Sequence, residues 1–63
     1  MSYYKTSGYL EACGDNSYNI KDYKSALRSY RAAQNALRPE SPDFNDRYRL
    51  LQIKIIKASE VTK

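Results

Sequence analysis

Apolar residues recur along the chain at intervals of three and four and never in runs longer than two, a spacing that predicts helices and no strands. The clearest stretch lies between Asp22 and Arg38, where Tyr23, Ala26, Leu27, Tyr30, Ala33 and Leu37 form one stripe. Lys24, Arg28, Arg31, Asn35 and Arg38 fall on the opposite side. Ser25, Ser29, Ala32 and Ala36 make a third face of small residues that lets a neighbouring helix come close. Further on, Phe44, Tyr48, Leu51, Ile55 and Ala58 repeat the helical spacing. In the N-terminal third, Ser7, Leu10, Cys13, Gly14 and Ser17 share one side, although Gly8 and Gly14 each cost about 1 kcal/mol relative to alanine in a helix interior. Pro39 and Pro42 mark the firm break, since each holds the residue before it extended. Ser41 is the expected N-cap of the last helix, with Pro42 in its first position and Asp43 at the positive end of its dipole. The expected fold is all-α, a single domain over residues 1–63. Helices over about 3–19, 22–38 and 42–61 form an antiparallel helical hairpin with a third C-terminal helix packed on it, a small three-helix bundle.

Sixty-three residues hold one small core. Cys13 is the only cysteine and there is no histidine, so neither an internal disulfide nor a familiar zinc spacing can be written, and no metal or cofactor is expected. A lone thiol fits a reducing compartment, which makes the cytoplasm the expected location, and the short apolar runs argue against membrane insertion. Catalysis lacks its usual residues: there is no phosphate-binding glycine loop, no nucleophile with a base, and Cys13 lies on an apolar stripe as a small filler. The chain is therefore expected to be no enzyme. Net charge is +4, unevenly placed: residues 21–38 and 47–63 are each +4, whereas residues 39–46 are −3. The line Lys24, Arg28, Arg31 and Arg38 could follow phosphates, with Tyr3, Tyr4 and Tyr9 as stacking candidates, which makes a nucleic-acid-binding bundle the alternative function.

Leu10-x-x-Cys13-Gly14-Asp15, then Asp22-Tyr23-x-x-Ala26-Leu27-x-x-Tyr30-x-x-Ala33, then a proline, resembles one tetratricopeptide repeat. Lys21 stands where the turn of that repeat usually has glycine. The resemblance implies a helical hairpin in which Gly14 of the first helix faces Ala26 of the second, with Leu10, Tyr23, Tyr30 and Ala33 completing the core. Asp22-Tyr23-x-x-Ala26-x-x-x-Tyr30 is also similar to the second helix of the microtubule-interacting-and-transport domain, a three-helix bundle. Both families are peptide-binding modules.

The third helix carries Leu50, Ile53 and Ile56 on roughly the side opposite its core stripe, and a chain this short cannot wrap a helix on both sides. Those residues dock a protein or peptide partner, pair with a second copy of the chain, or enter the core through a rotated helix. In a longer repeat array they would meet the next repeat. If the tetratricopeptide resemblance holds, it implies a groove lined by Glu11, Asp15, Tyr18 and Asn19 facing Leu50 and Ile53, with Arg49 substituting if the register shifts by one. Such an apolar and acidic groove would take a segment with a Leu, Ile or Met anchor beside a Lys or Arg. The function expected from these features is a protein-interaction adaptor.

Overall fold

The computed structural model describes residues 6–62 and contains three helices, α1 (Ser7–Asn19), α2 (Tyr23–Ala36) and α3 (Phe44–Val61), arranged as a three-helix bundle. Tyr3 and Tyr4 of the expected first helix lie outside the described residues. α1 starts where the Thr6 hydroxyl accepts from the Tyr9 N–H at 3.2 Å, and α2 where the Asp22 carboxylate accepts from the Ser25 N–H at 3.3 Å. Both are side-chain caps of the ordinary kind, in which an oxygen satisfies an amide the helix leaves free.

The turn between α1 and α2 is closed by two backbone bonds: the Asp22 N–H donates to the Ser17 carbonyl at 2.8 Å and the Lys21 N–H to the Tyr18 carbonyl at 3.0 Å. These are the paired bonds of a Schellman cap, and they require the residue after the helix to be left-handed. That residue is Lys21, with φ 65°. The glycine that the repeat pattern has in this turn is thus replaced by a side chain in glycine's conformation.

Three boundaries differ from the sequence expectation. α1 starts at Ser7 rather than at about residue 3, with Thr6 extended as its N-cap. α2 ends at Ala36 and Leu37 is already extended, because Arg38 precedes Pro39 and cannot continue the helix. α3 begins at Phe44 instead of Pro42. Ser41 does not cap it; the Phe44 N–H donates to the Ser41 carbonyl at 3.1 Å, which makes Ser41 to Phe44 a turn, and Asp43 holds the N-cap position without a side-chain bond.

α2 is the central helix. It packs along both α1 and α3, which scarcely approach each other, and the molecule is accordingly flat, 34 × 29 × 14 Å. Gly14 against Tyr30 and Tyr18 against Tyr23 set α1 and α2 antiparallel; Tyr30 beside Lys54 and Gln34 beside Gln52 do the same for α2 and α3, Gln34 donating to the Gln52 side chain at 2.9 Å and the Tyr48 carbonyl at 3.4 Å. The core consists of Ala26, Tyr30 and Ala33 from α2 with Leu51 and Ile55 from α3, and Ala58 is buried beside them. Leu10, Leu27 and Leu37 pack against it half-buried, as the stripes require, and Tyr18, expected in the groove, packs there too.

The packing corrects three details. Gly14 has Tyr30, rather than Ala26, as its nearest neighbour: a Cβ there would lie 2.5 Å from the ring, so the absence of a side chain is what admits the phenol. Tyr48 is exposed although it lies on the α3 stripe, and its ring tilts onto Phe44 at 5.7 Å. Cys13 is half-buried, beneath neither full core nor open solvent.

Candidate functional site

Four side chains from all three helices meet on one side of the bundle. The Tyr30 hydroxyl of α2 donates to Asp15 Oδ1 of α1 at 2.7 Å. From α3, the Lys54 ammonium donates to Glu11 at 2.7 Å and to both oxygens of Asp15 at 3.1 and 3.2 Å. It also lies 5.7 Å from the centre of the Tyr30 ring, where the negative π face attracts a cation. Helical spacing explains the convergence: Glu11 and Asp15 are one turn apart on α1, so a single ammonium reaches both.

Burial and pairing oppose each other here, and pairing wins. Partial burial pushes the Asp15 carboxyl up, but the hydrogen bond from Tyr30 and the bonds and charge of Lys54 outweigh it and hold the group below its ordinary 3.8. Burial pulls the Lys54 ammonium down, yet Glu11 and Asp15 raise it above 10.5. For Tyr30 everything acts together: burial, the bond to Asp15 and the negative charge of Asp15 and Glu11 drive the phenol far above 10.0. All three shifts favour the species drawn, a neutral phenol between a carboxylate and an ammonium.

Beside this cluster is a cavity of about 230 Å³ lined by Asp15, Tyr18, Tyr30, Lys54 and Lys57. Its lining includes neither Leu50 nor Ile53. This cavity is therefore not the expected groove of acidic residues facing apolar ones. Lys54 neutralises the acidic wall from within, and Lys57 adds a further cation, so the cavity has no call for a basic ligand. Tyr18 borders the cavity half-buried with its ring edge-on to Tyr23 at 5.2 Å, and Asn19 is exposed at the end of α1. The predicted site residues thus divide into Glu11, Asp15 and Tyr18 at the cluster and Arg49, Leu50, Ile53 and Ile56 elsewhere on α3.

No family model, curated protein or solved structure matches the chain. Its own surfaces therefore carry the functional argument.

The second group is solvent-facing. Leu50 is 55% exposed, Ile53 44% and Ile56 47%, and Val61 is exposed as well, whereas Leu51, Ile55 and Ala58 of the same helix are buried. α3 is apolar on two sides and the bundle covers one, which excludes the rotated-helix alternative. Arg49 lies exposed among them. On α2, Lys24, Arg28 and Arg31 line a shallow depression with Leu27, Ala32 and Asn35, while Arg38 borders a different hollow near Thr6 and Arg47. The basic line is therefore three residues long rather than four.

Lys54 is the participant that sequence reasoning missed. Its signal was weak: at 100° per residue it lies only about 60° round the helix from Leu51, on the shoulder of the core stripe, where a long cation can bury its stem and reach a neighbour. Among the described residues no helix is long and apolar enough to cross a membrane, and no cluster of three or more potential metal-ligating side chains occurs.

Proposed function

We propose that this chain is a non-enzymatic protein-interaction module whose docking surface is the outer face of α3, where it receives an amphipathic helix. The observation that carries the reading is the half-exposure of Leu50, Ile53 and Ile56 on a helix whose other face is already committed to the core. A capping helix needs one apolar stripe; a second one costs solubility and is explained by a partner that covers it. Affinity would come from burying the isoleucines, with the flanking charges setting orientation. The Glu11–Lys54–Asp15–Tyr30 cluster supports a structural role for those carboxylates, since all of them are bonded to one another's partners across three helices. The resemblance to peptide-binding repeats agrees in class with this reading.

Selection from a displayed library of amphipathic helices against the chain and Ile53→Asp in parallel, with circular dichroism confirming that both are folded, tests it. Enrichment of helices with Leu or Ile at every third or fourth position on the parent chain alone is expected. Equal enrichment on both, or none on either, would refute it. A second reading, nucleic-acid binding, is favoured by Lys24, Arg28 and Arg31 being exposed around one depression without an ion-pair partner among the described residues. Salt-dependent binding of a generic oligonucleotide, weakened by Arg28→Glu, is its test.

A further inference from the structure

The outermost line of α3 is Arg49, Ile53, Ile56 and Glu60, spaced by four, three and four residues, so two isoleucines lie between opposite charges along one exposed seam. At 1.5 Å per residue the two charges are about 16 Å apart, too far to pair within the helix. Neither takes part in an ion pair among the described residues. A seam that is apolar in the middle, basic at one end and acidic at the other is complementary to itself when reversed.

We propose that the helix received by this face is α3 of a second copy of the chain, bound antiparallel, a proposal that rests on the docking reading above. Pairing each residue i with residue 109 − i places Ile53 against Ile56 and Arg49 against Glu60, each twice by symmetry. Leu50 then opposes Ser59, and Lys57 opposes Gln52, so no like charges meet. The competing arrangements fare worse. A parallel pair sets Arg49 on Arg49 and Glu60 on Glu60; an antiparallel pair centred on Ile53 sets Arg49 on Lys57 and Asp46 on Glu60. Charge thus selects one register of one topology, the device by which helical seams choose their partners. A single seam of this length is well below the ~800 Å² per partner of a standard interface, so the dimer is weak and depends on concentration.

Sedimentation equilibrium of the full chain tests the proposal. The mass should climb from 7.3 kDa towards twice that value as concentration rises. Arg49→Glu alone and Glu60→Arg alone should each weaken association about tenfold or more, since each sets like charges at both ends of the seam. An equimolar mixture of the two single variants, and the double variant R49E/E60R, should associate again, because the complementary pairs are restored. Circular dichroism of each exposed-site variant checks that the bundle is intact. A chain that stays monomeric up to about 1 mM, single variants that pair as well as the parent, or a mixture that fails to associate would each overturn it. A monomer that still enriches Ile53-dependent helices in the display selection overturns self-pairing alone; one that enriches none removes the docking reading too.

Discussion

Gly14→Ala puts two opposing effects in competition at one atom. Alanine favours a helix over glycine by about 1 kcal/mol, and position 14 lies in the interior of α1. The new methyl group, however, would sit 2.5 Å from Cε1 and 2.6 Å from Cδ1 of Tyr30, so the ring has to retreat by about 1 Å to regain ordinary contact. The ring is 2% exposed and its hydroxyl is held by Asp15 at 2.7 Å, so a retreat disturbs its packing and that bond together. Overpacking of this kind costs about 1–3 kcal/mol, and stretching the bond to Asp15 adds about 1 kcal/mol, the low end for a charged acceptor because that carboxylate is partly solvated. The net expectation is a loss of about 2 kcal/mol, a large fraction of the ~3–5 kcal/mol that a core of this size supplies. Urea unfolding followed by circular dichroism measures it, with all variants in the same stabilising osmolyte so that each retains a folded baseline. The decisive comparison is the same substitution in a Tyr30→Leu background. With the ring gone, only the helix preference remains, and Gly14→Ala should change sign to a gain of about 0.5–1 kcal/mol. A stabilised single variant, or a penalty of equal size in both backgrounds, would refute the account of how Gly14 and Tyr30 fit together.

Lys21→Gly should stabilise the chain by about 0.5–1 kcal/mol, because a left-handed residue costs about 1–2 kcal/mol with a Cβ and glycine returns part of that as unfolded-state entropy; a lower urea midpoint would refute this. Lys54→Met keeps the aliphatic stem but strands Glu11 and Asp15 side by side, with an expected loss of about 1–2 kcal/mol in the same assay, moderated by the partial exposure of Asp15. Stability should also be flat at neutral pH and fall at both extremes. Asp15, held below 3.8, contributes above that value and loses its contribution as the pH drops through its folded pKa; Tyr30 and Lys54, held above 10.0 and 10.5, contribute fully below those values and lose it as the pH rises through their folded pKas. Tyr30→Phe should shrink the alkaline loss, and an unchanged profile between pH 9 and 12 would show that the phenol is not held as described.

The three helices were legible because their apolar spacing admits no other regular structure, and the second apolar face of α3 was legible for the same reason: Leu50, Ile53 and Ile56 fall outside the stripe through Leu51 and Ile55 whatever the packing. Boundaries were read less well. Ser41 has the chemistry of an N-cap, but two prolines three residues apart bend the backbone into a turn first, and the helix waits for Phe44. The role of Glu11 and Asp15 was not legible, since their partner Lys54 is some forty residues away in sequence and a cation on a helix shoulder looks the same whether or not it finds a carboxylate. Tyr48 fell on the correct stripe and still faces solvent, so the spacing placed the residue on a face without fixing its burial.

The cluster and the outer face of α3 are linked by the flatness of the bundle. Because α2 lies between its neighbours, the backbones of α1 and α3 stay apart, and the ammonium of Lys54 on Glu11 and Asp15 bridges them directly. Tyr30 completes the tie from α2, so one phenol, two carboxylates and one amine connect all three helices on the same side of the molecule. Such bonds are directional where apolar contacts are not, and they add an angular constraint to the burial of Leu51, Ile55 and Ala58 in fixing how α3 is turned about its own axis. That angle decides which residues point away from the core. With Lys54 anchored on one shoulder, Ile53 lies about 160° from Leu51, and the line from Arg49 to Glu60 is presented outward as a straight seam. Carboxylates that sequence reasoning assigned to a partner's basic residue are therefore used inside the fold, and the apolar seam with its two opposite charges is left facing outward.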